Sequence, residues 1–240
     1  EADGARDDGA EPASRADDSD DAGQDDGEGA EKTGVRDTEP MLREVDVLPG
    51  STIVDLGAYE CTELPDESVK YVSLDGGHNW PYVTWEDAAT NIQDAIDEAR
   101  VGDTVLLSNG VYAVRAPVLV SEVITVTSLH GPASAVIDGE GVTRCLLVDC
   151  QPPGAKVDGI TLSNGYADAG AVHPRRGGAV WARNAEIHNC ILADSHAGDY
   201  GGGAYLASAV TVSNCLVTGC TAYEGAGVFA PLSVALHDTT

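Results

Sequence analysis

Gly177-Gly178-Ala179-Val180-Trp181 recurs as Gly202-Gly203-Ala204-Tyr205-Leu206, and Asn189-Cys190-Ile191 recurs as Asn214-Cys215-Leu216, both displaced by 25 residues. A third copy, Gly225-Ala226-Gly227-Val228-Phe229, follows the second after 23. Two different motifs that keep one offset mark stacked units of roughly 20 to 50 residues, each too small to bury its own apolar face. The offset predicts columns: Val180, Tyr205 and Val228 in one, Trp181, Leu206 and Phe229 in the next, with steps of about 4.8 Å as between paired strands.

Upstream of this repeat, short apolar runs alternate with turns at 104–107, 118–120, 124–127, 135–137, 146–148 and 160–162, and no second helix intervenes. Helix-free strands at this density imply hairpins or a solenoid, and the fixed offset selects the solenoid. The composition agrees, with 42% hydrophobic residues, only 5% aromatic ones and 28 glycines, which suits an aliphatic core crossed by many turns. One helix is predicted, over 85–99. Thr84 is placed as its N-cap with Asp87 in the capping-box position, Trp85, Ala88, Ala89, Ile92, Ala95, Ile96 and Ala99 line one face, and Gly102 lies beyond its end.

The formal net charge of -27 repels phosphate backbones and anionic lipid, so nucleic acid is an unsuitable partner. The acids concentrate in residues 1–40, which carry almost no large apolar side chains and are expected to be a disordered acidic tail. Within it, 17–21 and 25–28 are rich in Asp but miss the spacing of a calcium loop, which leaves a solvated linker as the favoured reading. No apolar run is long enough to span a bilayer, and a signal peptide is expected to be removed or to lie outside this stretch. The six cysteines fit no CxxC zinc pattern. Cys190 and Cys215 fall in one column, where a disulfide and a pair of free thiols both remain open.

The GGA start, a following strand and an Asn-Cys corner together resemble the polymorphic-outer-membrane-type repeats of right-handed parallel β-helix proteins with the pectin-lyase-like fold. Thr84–Ala89, Asn91–Ile96, Gly102–Val105 and Asn109–Tyr112 resemble that family's N-terminal capping helix and first coil. The resemblance covers residues 69–240. It implies an all-β fold, a right-handed parallel β-helix solenoid with an N-terminal capping α-helix, which follows the disordered acidic tail that composition places at 1–45. A linker is expected at 46–68, where Val54–Glu60 resembles the closing segment of β-helix domains in large tandem surface proteins, and further coils are expected after Thr240. It further implies an extracellular or cell-surface bacterial setting.

Enzymes of that fold build sites from charged residues on successive coils, typically carboxylates that hold Ca²⁺ or act as acid and base. At the 25-residue offset, Arg183 meets Ser208, Glu186 meets Thr211, His188 meets Ser213, Asp194 meets Gly219 and His196 meets Thr221, so none repeats its charge. Only Asp199 meets another acid, Glu224, at a separation suited to a glycosidase pair or a shared Ca²⁺. The insertion 165–176 adds Asp168, His173, Arg175 and Arg176 beside the strands and is the expected binding loop. Trp80, Tyr82, Tyr200 and Tyr223 are candidates for stacking on sugar rings. Asn189 and Asn214 are expected to form a structural ladder. The functional expectation is a repeat scaffold for adhesion or for binding extracellular polysaccharide or cell-surface glycan, without a cofactor unless Ca²⁺ is bound. A polysaccharide lyase or glycoside hydrolase and a purely structural stalk are the alternatives.

Overall fold

A computed structural model describes residues 68–232 and 234–240. The expectations for the tail at 1–45, most of the linker at 46–68, the segment 53–60 and Cys61 fall outside them.

The described chain is built of parallel strands in stacked sheets with very little helix, as in a parallel β solenoid. It winds through three walls. The first wall stacks Val118–Val120, Leu146–Asp149, the first half of Val180–His188, the first half of Ala204–Ser213 and Val228–Phe229. The second stacks Val69–Val72, Thr104–Leu107, Thr125–Ser128, Ala155–Asp158, the remaining halves of the two long strands and Ala235–His237. The third stacks Gly110–Ala113, Ala135–Asp138, Thr161–Ser163, Ile191–Ala193 and Leu216–Thr218. Each strand meets its counterpart from the neighbouring coil, so the other walls serve as the crossover that parallel pairing needs.

The period-2 alternation of a strand sends one side of every wall inward. Val105, Val126, Val157, Ile187 and Val212 form one buried column of the second wall. Tyr112, Ile137, Leu162 and Leu192 do the same in the third. The chain turns between walls at residues in the left-handed region. These are Asn184 and Ala209 between the first and second (φ 57° and 48°), and Asn189 and Asn214 between the second and third (φ 53° and 50°). Asn is the side chain that tolerates this conformation best after glycine. The expected ladder forms there: Asn214 donates to Asn189 at 2.7 Å, and Asn189 in turn donates to the Asp158 carboxylate at 2.7 Å. The cysteines at 145, 150, 190, 215 and 220 are free thiols.

Two expectations need correction. The helix spans only Ile92–Glu98, with Asn91 rather than Thr84 as its N-cap. The Asp87 N–H does donate to Thr84 Oγ1 at 3.1 Å, but the second bond runs from the Thr84 hydroxyl to the Asp87 carboxylate at 2.9 Å, and together they close an isolated turn. Beyond it the backbone of Ala89 pairs with Tyr71 and Ser73, at 2.9 Å each, so a parallel bridge takes the groups a longer helix would use. The shortened helix buries Ile92, Ala95 and Ile96 against Val69–Val72, Thr104–Leu107 and Val118–Val120.

The columns of the repeat also change. Val180 pairs with Ala204 and then Val228, and Trp181 with Tyr205 and then Phe229, an offset of 24 at both steps rather than 25 and then 23. The three glycines at 201–203 make both alignments acceptable in sequence, and backbone conformation decides between them. Gly177, Gly201 and Gly225 all have φ near 60° (65°, 65° and 58°), so these three share one position. At the next position a Cβ on Gly178 would collide with the carbonyl of Gly202. The register then shifts between Ala182 and Arg183, where Ala207 is the extra residue, and the offset of 25 holds from Arg183–Ser208 to His188–Ser213.

Candidate functional site

The corrected register turns the first wall's outer face into an apolar column. Leu147, Trp181 and Tyr205 stack in sequence and form a hydrophobic cluster separate from the core, with Tyr200, Ala207 and Phe229 packed against it. The rings follow one another at centroid distances of 6.4 Å for Trp181–Tyr205 and 5.6 Å for Tyr205–Phe229, nearly parallel in both cases. An outward column would be exposed were it not for the insertion. His173 lies flat on Trp181 at 3.8 Å, and the Arg176 guanidinium sits 5.3 Å above Tyr205 and 5.9 Å from Tyr200. Trp181 is 4% exposed, and its Nε1 is, among the described residues, the one buried side-chain N or O atom without a hydrogen-bond partner.

Arg144 holds this loop, and the sequence reading passed over it. The side chain is fully buried, and among the described residues it makes no ion pair. Its guanidinium donates to the carbonyls of Gly177 (2.7 Å), Val172 (2.7 Å), His173 (3.0 Å) and Arg176. Burial lowers its pKa to about 10, still far above neutrality, so a charged fork with fixed geometry gathers four loop carbonyls. Burial and the nearby Arg144 push the His173 imidazole below its usual value. The only signal in the sequence is an arginine directly ahead of the apolar run Cys145-Leu146-Leu147-Val148.

The other expected loop residues are placed as follows. Asp168 accepts from Tyr166 Oη at 3.3 Å and lies 3.7 Å from Arg175. Arg175 donates through Nε to Asp199 at 2.8 Å, and this contact raises its pKa. Asp199 is therefore engaged by the preceding coil. In register it is Tyr200, not Asp199, that pairs with Glu224, because the offset here is 24. The expected acid pair of Asp199 and Glu224 on matching positions is thus not formed. Of the four aromatic candidates, Trp80 and Tyr223 are exposed, and Tyr82 is buried against His78. Tyr200 joins the column, 4.5 Å from Phe229.

The second wall's outer face is different. Lys156, Glu186 and Thr211 form one row across successive coils, and Asp158, His188, Ser213 and His237 form the next. Glu186 Oε2 lies 3.3 Å from Lys156 Nζ and 3.3 Å from His188 Nε2, while His188 Nδ1 lies 2.5 Å from Ser213 Oγ. The hydrogen bond from His188, then the lysine, hold the Glu186 carboxyl below the usual carboxylate range. The 25-residue offset already places His188 against Ser213 in the sequence, but a hydroxyl opposite an imidazole repeats no charge, so complementarity rather than repetition is the signal.

No family model, curated protein or solved structure matches this chain. Among the described residues no helix is long and apolar enough to cross a membrane.

Proposed function

We propose that residues 69–240 are the first coils of a right-handed parallel β-helix of the pectin-lyase-like type, carried by a secreted or surface-attached bacterial protein, and that they bind extracellular polysaccharide. The observation that carries this reading is the lip of the covered column. Arg176 is exposed, its guanidinium faces Tyr200 and Tyr205, and Tyr200 and Phe229 are half-buried beside it. Partly exposed rings with a cation beside them offer flat apolar faces and donors, which is what a sugar ring with its hydroxyls requires. Residues 68–240 carry 18 acids against 8 bases, a balance that favours neutral glycans over uronate or sulfate chains.

A glycan array probed with the full chain, with and without Ca²⁺, tests this reading. Binding to neutral glycans that falls at least about tenfold in Arg176→Ala and in Tyr200→Ala is the expected result. An absence of binding to every sugar favours a structural stalk.

A further inference from the structure

We propose that Ser213, His188 and Glu186 form a hydrolytic site for small carboxylic esters on the outer face of the second wall. The solenoid's register builds it. Glu186 and His188 are two residues apart on one strand and therefore share a face, and Ser213 stands opposite His188 on the following coil. One tautomer satisfies both contacts of the imidazole: Nε2–H donates to Glu186 Oε2 at 3.3 Å, which leaves Nδ1 to accept the Ser213 hydroxyl at 2.5 Å. Nucleophile on base, and base on an orienting carboxylate, is the arrangement that activates a weak hydroxyl. Lys156 fixes the same Glu186 oxygen from the coil before, and Asp158, the other acid in the row, is occupied by Asn189.

In the first step Ser213 Oγ attacks the ester carbonyl carbon while its proton passes to His188 Nδ1. The carbon–oxygen bond to the alcohol then breaks, and the alcohol leaves with that proton. Water repeats the sequence on the acyl-serine: it gives one proton to His188, its oxygen bonds to the acyl carbon, and the Ser213 oxygen recovers the proton as the acid departs. Ser213 and His188 are the catalytic residues, and Glu186 is a positioning residue. A groove of about 230 Å³ lies beside Glu186, Thr211 and Ala209, and its size suits a small acyl group next to the triad. The strand N–H groups of this wall are engaged in its parallel ladder. The oxyanion therefore faces water and the neighbouring His237 row. Losing one preformed oxyanion donor costs an enzyme roughly 100–1000-fold, so turnover here is slow.

The test is covalent labelling of the full chain with a fluorophosphonate, located by peptide mass spectrometry, alongside hydrolysis of p-nitrophenyl acetate. Label on Ser213 is expected, absent in Ser213→Ala and at least about tenfold slower in His188→Ala, which keeps the hydroxyl but loses the base. His188→Asn replaces that variant should it fail to fold. The charged and titratable groups around His188 are Glu186 on its own strand, Lys156 and Asp158 on the coil before and Cys215 on the coil after, with His237 one coil further on. Glu186→Gln removes the carboxylate that orients the imidazole, so the labelling rate falls, and it falls less in Glu186→Asp, which keeps a carboxylate. No label on Ser213, or label whose rate the His188 variants leave unchanged, overturns the proposal. Glycan binding at the first wall is unaffected by Ser213→Ala, so the two readings fail separately.

Discussion

The outer faces of the first and second walls belong to the same two long strands, Val180–His188 and Ala204–Ser213, yet one is a covered apolar column and the other an open polar array. On the first wall, rings stacked coil on coil would expose a large apolar strip, and the insertion held by Arg144 removes it from water. On the second, Glu186 meets Lys156 and His188 meets Ser213 one coil away, so the outward groups are polar and the face stays wet. A solenoid fixes the spacing of its columns, and the side chains placed in them decide whether a face becomes a second core or a polar surface.

The largest way to break the contrast is Trp181→Ala, which removes the centre of the covered column. Burial at this level predicts a loss of about 3–5 kcal/mol in urea unfolding, and a loss under 1 kcal/mol would show that the column carries little of the fold. Arg144→Ala should follow. It leaves four loop carbonyls without their donor, at about 1–3 kcal/mol for each acceptor that water does not reach. A loss of at least about 3 kcal/mol is expected, together with new proteolytic cleavage within 168–176. Arg144→Lys should not restore the loop, because a point-like ammonium cannot span four carbonyls.

Ala209 tests the corner that both faces share. Its φ of 48° is strained for a residue with a Cβ, and its counterpart one coil earlier is Asn184. Ala209→Gly is therefore expected to raise stability by about 1 kcal/mol, read as a higher urea midpoint at unchanged slope. On the polar face, Lys156→Ala breaks a half-exposed pair and should change stability by less than about 1 kcal/mol.

Acidification separates the faces in a different way. The folded His173 pKa lies below its usual value of 6.5, so the unfolded chain takes up the proton first and stability falls as pH drops through 6.5. The drop levels off once the folded-state pKa is passed. His173→Phe keeps a ring on Trp181 and removes this term, so its melting temperature should gain on the wild type between pH 7.5 and 5. Equal melting temperatures across that range would place His173 in solvent rather than on the column.

The sequence by itself determined the repeating unit, the short strands and the asparagine corners, because these depend on local chemistry: alternation, glycine pairs and side chains that tolerate the left-handed region. Thr104–Leu107 and Val118–Val120 were legible to the residue, and the pairing of His188 with Ser213 followed from counting. Ala155–Asp158 was not legible, because Ala-Lys-Val-Asp offers little apolar pattern and is a strand only through its neighbours on both sides. The tertiary structure alone decided the offset of 24 at the glycine corner, and with it the aromatic column and the loss of the Asp199–Glu224 match. Three consecutive glycines fit either alignment, and only steric contact between stacked backbones distinguishes them. Arg144 is a similar case, since a buried guanidinium is recognised by the carbonyls that surround it, and those lie 28 to 33 residues further along the chain.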